Sequence, residues 1–163
     1  MTQLPIDDVD PIPDVDEAYD LALGRVVRAS AQLESFAVVL LWNAAGVSQE
    51  VGVRTLPNGC ERAIEAVRAV LPVVELDERV KAEIRSWCDD AGACYRERNR
   101  LVHPLLIWDG FLDPPGYVYT SLTRRANGPG KRAAATDVEA LLSRTDAVLG
   151  RWFPIMLAAG YVA

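Results

Sequence analysis

LALGRVVRASAQLESFAVVLLWNAAG, residues 21–46, is the stretch on which the fold turns. Within it Leu23, Val26/Val27, Ser30, Leu33, Ala37, Leu40/Leu41 and Ala44 recur at alternating steps of three and four, the spacing of one helical face. The pattern predicts a single long helix from about Asp16 to Ala45. Asp14 or Asp16 is placed to cap its start, and Gly46 to end it.

Working outward, a shorter helix is expected from about Asn58 to Leu71, with Ile64, Val67, Val70 and Leu71 as its stripe and Pro72 as its stop. A third begins near Asp77 and runs to His103, burying Val80, Ile84, Trp87/Cys88, Ala91, Tyr95 and Val102. Pro104 disfavours helical backbone at His103, so the helix ends there. Leu105–Trp108 and Tyr117–Thr123 are rich in β-branched and aromatic residues and flank Asp113-Pro114-Pro115-Gly116, which reads as a β-hairpin. A last helix starts at the capping-box pattern Thr136-Asp137-Val138-Glu139, and Pro154 is expected to kink or break it near Phe153. The fold class that follows is all-α: a four- to five-helix bundle with a small β-hairpin insertion, one domain over residues 16–163.

Composition bounds the functional classes. At 163 residues and 50% apolar content the chain has material for one core. The longest apolar run, Phe36–Trp42, is far short of the roughly 20 residues of a membrane span. The acidic N-terminus lacks the basic and apolar regions of a signal peptide, and the expected location is the cytoplasm, with no membrane partner. Residues 1–17 hold Asp7, Asp8, Asp10, Asp14, Asp16 and Glu17 and no basic residue, accounting for the whole net charge of −6. Residues 1–15, interrupted by Pro5, Pro11 and Pro13, therefore read as an acidic, disordered tail on a neutral body. Cys60, Cys88 and Cys94 form no CxxC motif, and with one histidine in the chain a metal cluster or cofactor is not expected. They read as buried, inert thiols.

The lone histidine sits in Tyr95-Arg96-Glu97-Arg98-Asn99-Arg100-Leu101-Val102-His103-Pro104. At about 100° per residue, Arg98 falls in the middle of the apolar face of the third helix, while Asn99 and His103 line its edge and Arg100 lies beyond. A buried guanidinium needs a partner, because an unpaired buried charge costs several kcal/mol. Glu34 lies within about 60° of the centre of the first helix's stripe. It is expected either to pair with Arg98 directly or to meet it through a neighbouring chain.

Arg98, the polar Asn99 directly after it, and His103 after four intervening residues resemble the motif of the HEPN domain family. The helical bundle, with the motif closing a long helix, is similar to that family over most of residues 17–160. The resemblance implies a metal-independent ribonuclease of the defence or toxin type, in which two copies of the motif form one cleft in a homodimer. It further implies His103 as general acid/base, Arg98 as the stabiliser of phosphate charge, Asn99 as a hydrogen-bonding support and Glu34 as the group orienting Arg98. An antitoxin protein would be a natural partner. The family also contains non-enzymatic members, so a dimerisation module binding a protein, nucleotide or RNA is the alternative.

Plainer readings stand beside these. His103 could cap the last carbonyls of its helix, and Arg98 could be a structural ion pair. Arg100, Arg124, Arg125, Lys131 and Arg132 are the candidate phosphate contacts, although surface turns are often basic. Trp42, Trp87, Trp108 and Trp152 read as core or interface anchors.

Overall fold

The structure is a computed structural model. It describes residues 17–102 and 136–162 with their side chains and, as backbone, residues 105–109, 116–120, 131–132 and 135. The acidic segment 1–15 and the histidine at 103 lie outside the described residues. Helix α1 spans Glu17–Ala44, α2 Gln49–Thr55, α3 Cys60–Val70, α4 Glu78–Val102 and α5 Ala135–Ala158. Between α4 and α5 the backbone segments β1 (Leu105–Asp109), β2 (Gly116–Thr120) and β3 (Lys131–Arg132) pair antiparallel in that order. Among the described residues the core is built by the helices.

Helix α1 is the axis of the bundle, packed most extensively on α5 and α3 and also on α4. Its 3-4 stripe goes inward as the pattern predicts: Val26, Leu33, Ala37 and Leu40 are all 0% exposed. The helix stops at Gly46, whose φ of 65° places it in the left-handed region that glycine adopts without penalty. Val47 N–H there closes on the Trp42 carbonyl and Gly46 N–H on that of Asn43, the Schellman pattern. No single helix among the described residues is long and apolar enough to cross a membrane. The pair α1 and α2 passes such a test only jointly, across a 107° bend.

Aromatic residues tie the layers together. Trp87 on α4 is 1% exposed and donates its indole N–H to the Val148 carbonyl of α5 at 2.9 Å. Trp152 stacks on Phe36, ring centroids 4.2 Å apart, and donates to the Phe36 carbonyl. Salt bridges brace the outside: Arg151 on α5 reaches Asp90 and Ser86 on α4, and Arg68 on α3 reaches Asp89.

Several expectations need correction. Val80 and Val102 are half-buried, and Lys81 and Leu101 take the fully buried positions at the two ends of α4. Lys81 manages this by packing its stem inward while its ammonium meets Glu78 at 3.0 Å. Helix α5 begins at Ala135, so Thr136 lies inside the first turn rather than before it. Pro154 does not break α5. The carbonyl it leaves without a donor is that of Gly150; both residues are exposed, so water can replace the lost bond, while buried Ile155 and Met156 hold the turn in place.

The sequence reading also missed α2. Its seven residues have no apolar periodicity, and Val51 and Val53 face solvent. What seats α2 is Gly52, its one buried residue, which lies directly on the Trp42 indole. A Cβ at this position would stand 2.5 Å from Trp42 Nε1. Alanine in a helix normally gains about 1 kcal/mol over glycine, but here overpacking costs about 1–3 kcal/mol. Gly52→Ala should therefore lower the urea unfolding midpoint. A raised midpoint would mean that α2 does not rest on Trp42.

Candidate functional site

The site is built where α1 and α4 face each other. Asp77 caps α4 by accepting from Arg79 N–H at 2.7 Å, which starts a helix long enough to carry Tyr95, Arg98 and Asn99 to its far end. Tyr95 and Arg98 are three residues apart and hence neighbours on one face. Glu34 stands opposite them on α1 and accepts a hydrogen bond from the Tyr95 hydroxyl at 2.9 Å. The Arg98 guanidinium carbon lies 5.6 Å from the centroid of the Tyr95 ring. Its Nη1 donates to Asn99 Oδ1 at 3.0 Å.

Arg98 is thus half-buried on the apolar side of α4, as the helical wheel placed it. The expected direct pairing with Glu34 is not formed: among the described residues the two make no ion pair. The tyrosine one turn earlier reaches the carboxylate first, so Glu34 contacts Arg98 only by way of the phenol. Arg98 Nε is enclosed and has no hydrogen-bond partner among the described residues. Asn99 spends its oxygen on Arg98, which leaves its amide N–H groups without an acceptor among the described residues.

Arg100 is exposed and reaches Glu97 at 3.5 Å, a surface pair on α4. Of the other basic candidates, Arg124 and Arg125 lie outside the described residues, and Lys131 and Arg132 are described only as the backbone of β3. Trp108 is likewise described only as backbone, in β1. Among the described residues no group of three or more histidine, cysteine, aspartate or glutamate side chains could hold a metal ion.

Tyr95 is the residue that sequence reasoning passed over, having counted it only as part of an apolar stripe. Its hydroxyl was the available signal, since a tyrosine buried along its ring requires a polar partner at its tip. Glu34 also lines an open groove of about 620 Å³ between α1, α2 and the Asn58–Gly59 turn, with Val38, Trp42 and Val53 in its walls. Of the cluster, it is the Glu34 carboxylate that borders this groove.

Comparison with family models, with curated proteins and with solved structures gives no match.

Burial and the nearby carboxylate set the proton affinities around it. Burial first, and then the charge of Glu34, push the Cys60 thiol up to about 12. Burial does the same to Cys88, pushing it up to about 12. The Tyr95 phenol is pushed up to about 12 by burial and by its hydrogen bond to Glu34, so it remains a donor at neutral pH. All three groups hold protons in the folded state that the unfolded chain releases nearer 9 for the thiols and 10 for the phenol. Their contribution to stability is complete below pH 9 and lost as pH rises from there through about 12. Melting temperature should fall across that window, and Cys88→Ala should make the fall shallower. A melting temperature that stays flat across it would contradict this placement of the protons.

Proposed function

We propose that the chain is an HEPN-like, metal-independent endoribonuclease of the defence or toxin type that works as a homodimer. The observation that carries this reading is a guanidinium held half-buried on the apolar side of α4, backed by Glu34 through Tyr95, five residues before the chain's single histidine. Arginine in such a place is suited to an anion with several acceptor oxygens.

In this reading His103 takes the proton from a ribose 2′-hydroxyl, and the freed oxygen attacks the adjacent phosphorus. The bond to the 5′-oxygen breaks, that oxygen receives a proton, and a 2′,3′-cyclic phosphate remains. An imidazole with a pKa near 6.5 serves either proton transfer near neutrality. Arg98 stabilises the charge that builds on the phosphate, and the free amide of Asn99 holds the phosphate or the imidazole. The hairpin insertion between α4 and α5 supplies Arg124, Arg125, Lys131 and Arg132 as contacts to the RNA backbone, with Arg100 beside the motif. Two-fold pairing would join two motifs in one cleft.

The enclosed, unpartnered Arg98 Nε favours a second reading, a non-enzymatic module that dimerises and binds RNA, a nucleotide or a protein. A half-buried arginine set between an aromatic ring and a neighbouring amide can serve recognition without chemistry.

Purified protein in EDTA should cleave single-stranded RNA and leave cyclic phosphate ends. His103→Ala should lower the rate by about 10²–10⁴-fold with its melting temperature unchanged. No cleavage by the wild type, or equal cleavage by the variant, removes the nuclease reading. RNA binding that persists without cleavage in both proteins leaves the binding module.

A further inference from the structure

We propose that Tyr95 is the positioning residue of this site: it couples the Glu34 carboxylate to the Arg98 guanidinium and sets the plane in which that guanidinium is presented. The inference rests on the reading of Arg98 as the anion-binding group, and it assigns a role of its own to Tyr95, which that reading takes only as the link to Glu34.

Three observations carry it. The Tyr95 hydroxyl donates to Glu34 at 2.9 Å, and the ring of the same residue lies 5.6 Å from the guanidinium carbon of Arg98. Phenol and guanidinium therefore form one chain of contacts from α1 to the end of α4. Arg98 Nε is sealed from solvent yet has no acceptor among the described residues. A guanidinium free to choose its orientation would turn a buried N–H toward an acceptor, so its plane is being set by something else. The contacts present are the Tyr95 ring on one side and Asn99 Oδ1 at Nη1.

The chemistry explains why a relay serves better than direct contact. A carboxylate meeting an arginine directly engages its fork of donors, often two at a time, and those are the donors a phosphate requires. Through the phenol, Glu34 acts on the arginine without occupying it. By donating its proton toward a carboxylate, the phenol gains electron density, which strengthens the attraction of its ring face for a cation. Nη2 makes no hydrogen bond among the described residues, and in this proposal it is a donor offered to the anion.

The test is side-chain NMR on the full chain labelled with ¹⁵N-arginine. The Arg98 Nε–H signal is identified by its loss in Arg98→Lys. Tyr95→Phe removes the link to Glu34, Glu34→Gln removes the charge, and Tyr95→Leu removes the ring. The first two should each shift the Arg98 signal and speed its exchange with water about two- to fivefold, the equivalent of a weakened cation–π contact. Tyr95→Leu should have a larger effect. The Arg151 signal, held by Asp90 and Ser86 on the other side of α4, reports whether the bundle is intact and should stay in place. If Tyr95→Leu disturbs Arg151 as well, the two milder variants carry the test. An Arg98 signal unchanged in both Tyr95→Phe and Glu34→Gln overturns the proposal. With single-stranded RNA, Tyr95→Phe should lower kcat and leave KM unchanged; an unchanged kcat beside a shifted Arg98 signal also overturns it. A wild type that does not cleave removes the nuclease reading alone, and the NMR comparison then decides the role of Tyr95.

Discussion

Burial of one face of α1 is the constraint around which the molecule is arranged. That helix contributes Val26, Leu33, Ala37, Leu40 and Leu41 to a core completed by Ile64 and Val67 of α3, Ile84 and Trp87 of α4, and Leu141 and Met156 of α5. Because α3, α4 and α5 pack along α1, a polar side chain at the edge of its stripe can meet another helix while still bordering solvent. Glu34 is that side chain, and Tyr95 on α4 is what it meets. The candidate site is therefore a consequence of core packing: the same contact that closes the bundle brings a carboxylate to the foot of a tyrosine and an arginine.

Polar groups enclosed in the bundle are handled in two ways. Some are satisfied, Thr145 within its own helix by the Leu141 carbonyl and Trp87 across helices by that of Val148. Others have no partner among the described residues, namely Ser30 Oγ, Trp42 Nε1, Arg98 Nε and Tyr161 Oη. An unsatisfied buried donor costs about 1–3 kcal/mol, and a fold tolerates one where other contacts over-determine the geometry. At Trp42 the close approach of Gly52 does so. At Arg98 the ring of Tyr95 and the Asn99 side chain do so, and there the cost falls on the one cation of the motif that is turned toward the core.

How much could be read from the residues varied with how local the controlling physics is. Helices α1 and α4 could be read from end to end because each repeats an apolar step several times and carries its own stop, Gly46 for α1 and Pro104 beyond the end of α4, whereas α5 shows the repeat without a stop at Pro154. The half-buried position of Arg98 also followed from periodicity alone. Helix α2 could not be read, since it is held by one glycine against a tryptophan ten residues earlier, a contact with no local pattern. Pro154 misled for a similar reason. Its local preference is to break a helix, and only the burial of Ile155 and Met156 and the exposure of Gly150 show why α5 continues.

The sequence by itself determined the all-helical core, the burial of the three cysteines, and the presence of a cation on the apolar side of α4. These depend on side-chain periodicity and composition, which act within a few turns of chain. Only the tertiary structure decided what that cation meets. Glu34 and Tyr95 are separated by 61 residues, and their contact depends on the depth and rotation at which α1 and α4 pack. A one-dimensional pattern brings Glu34 and Arg98 to facing stripes, but it cannot say that a phenol one turn nearer reaches the carboxylate first.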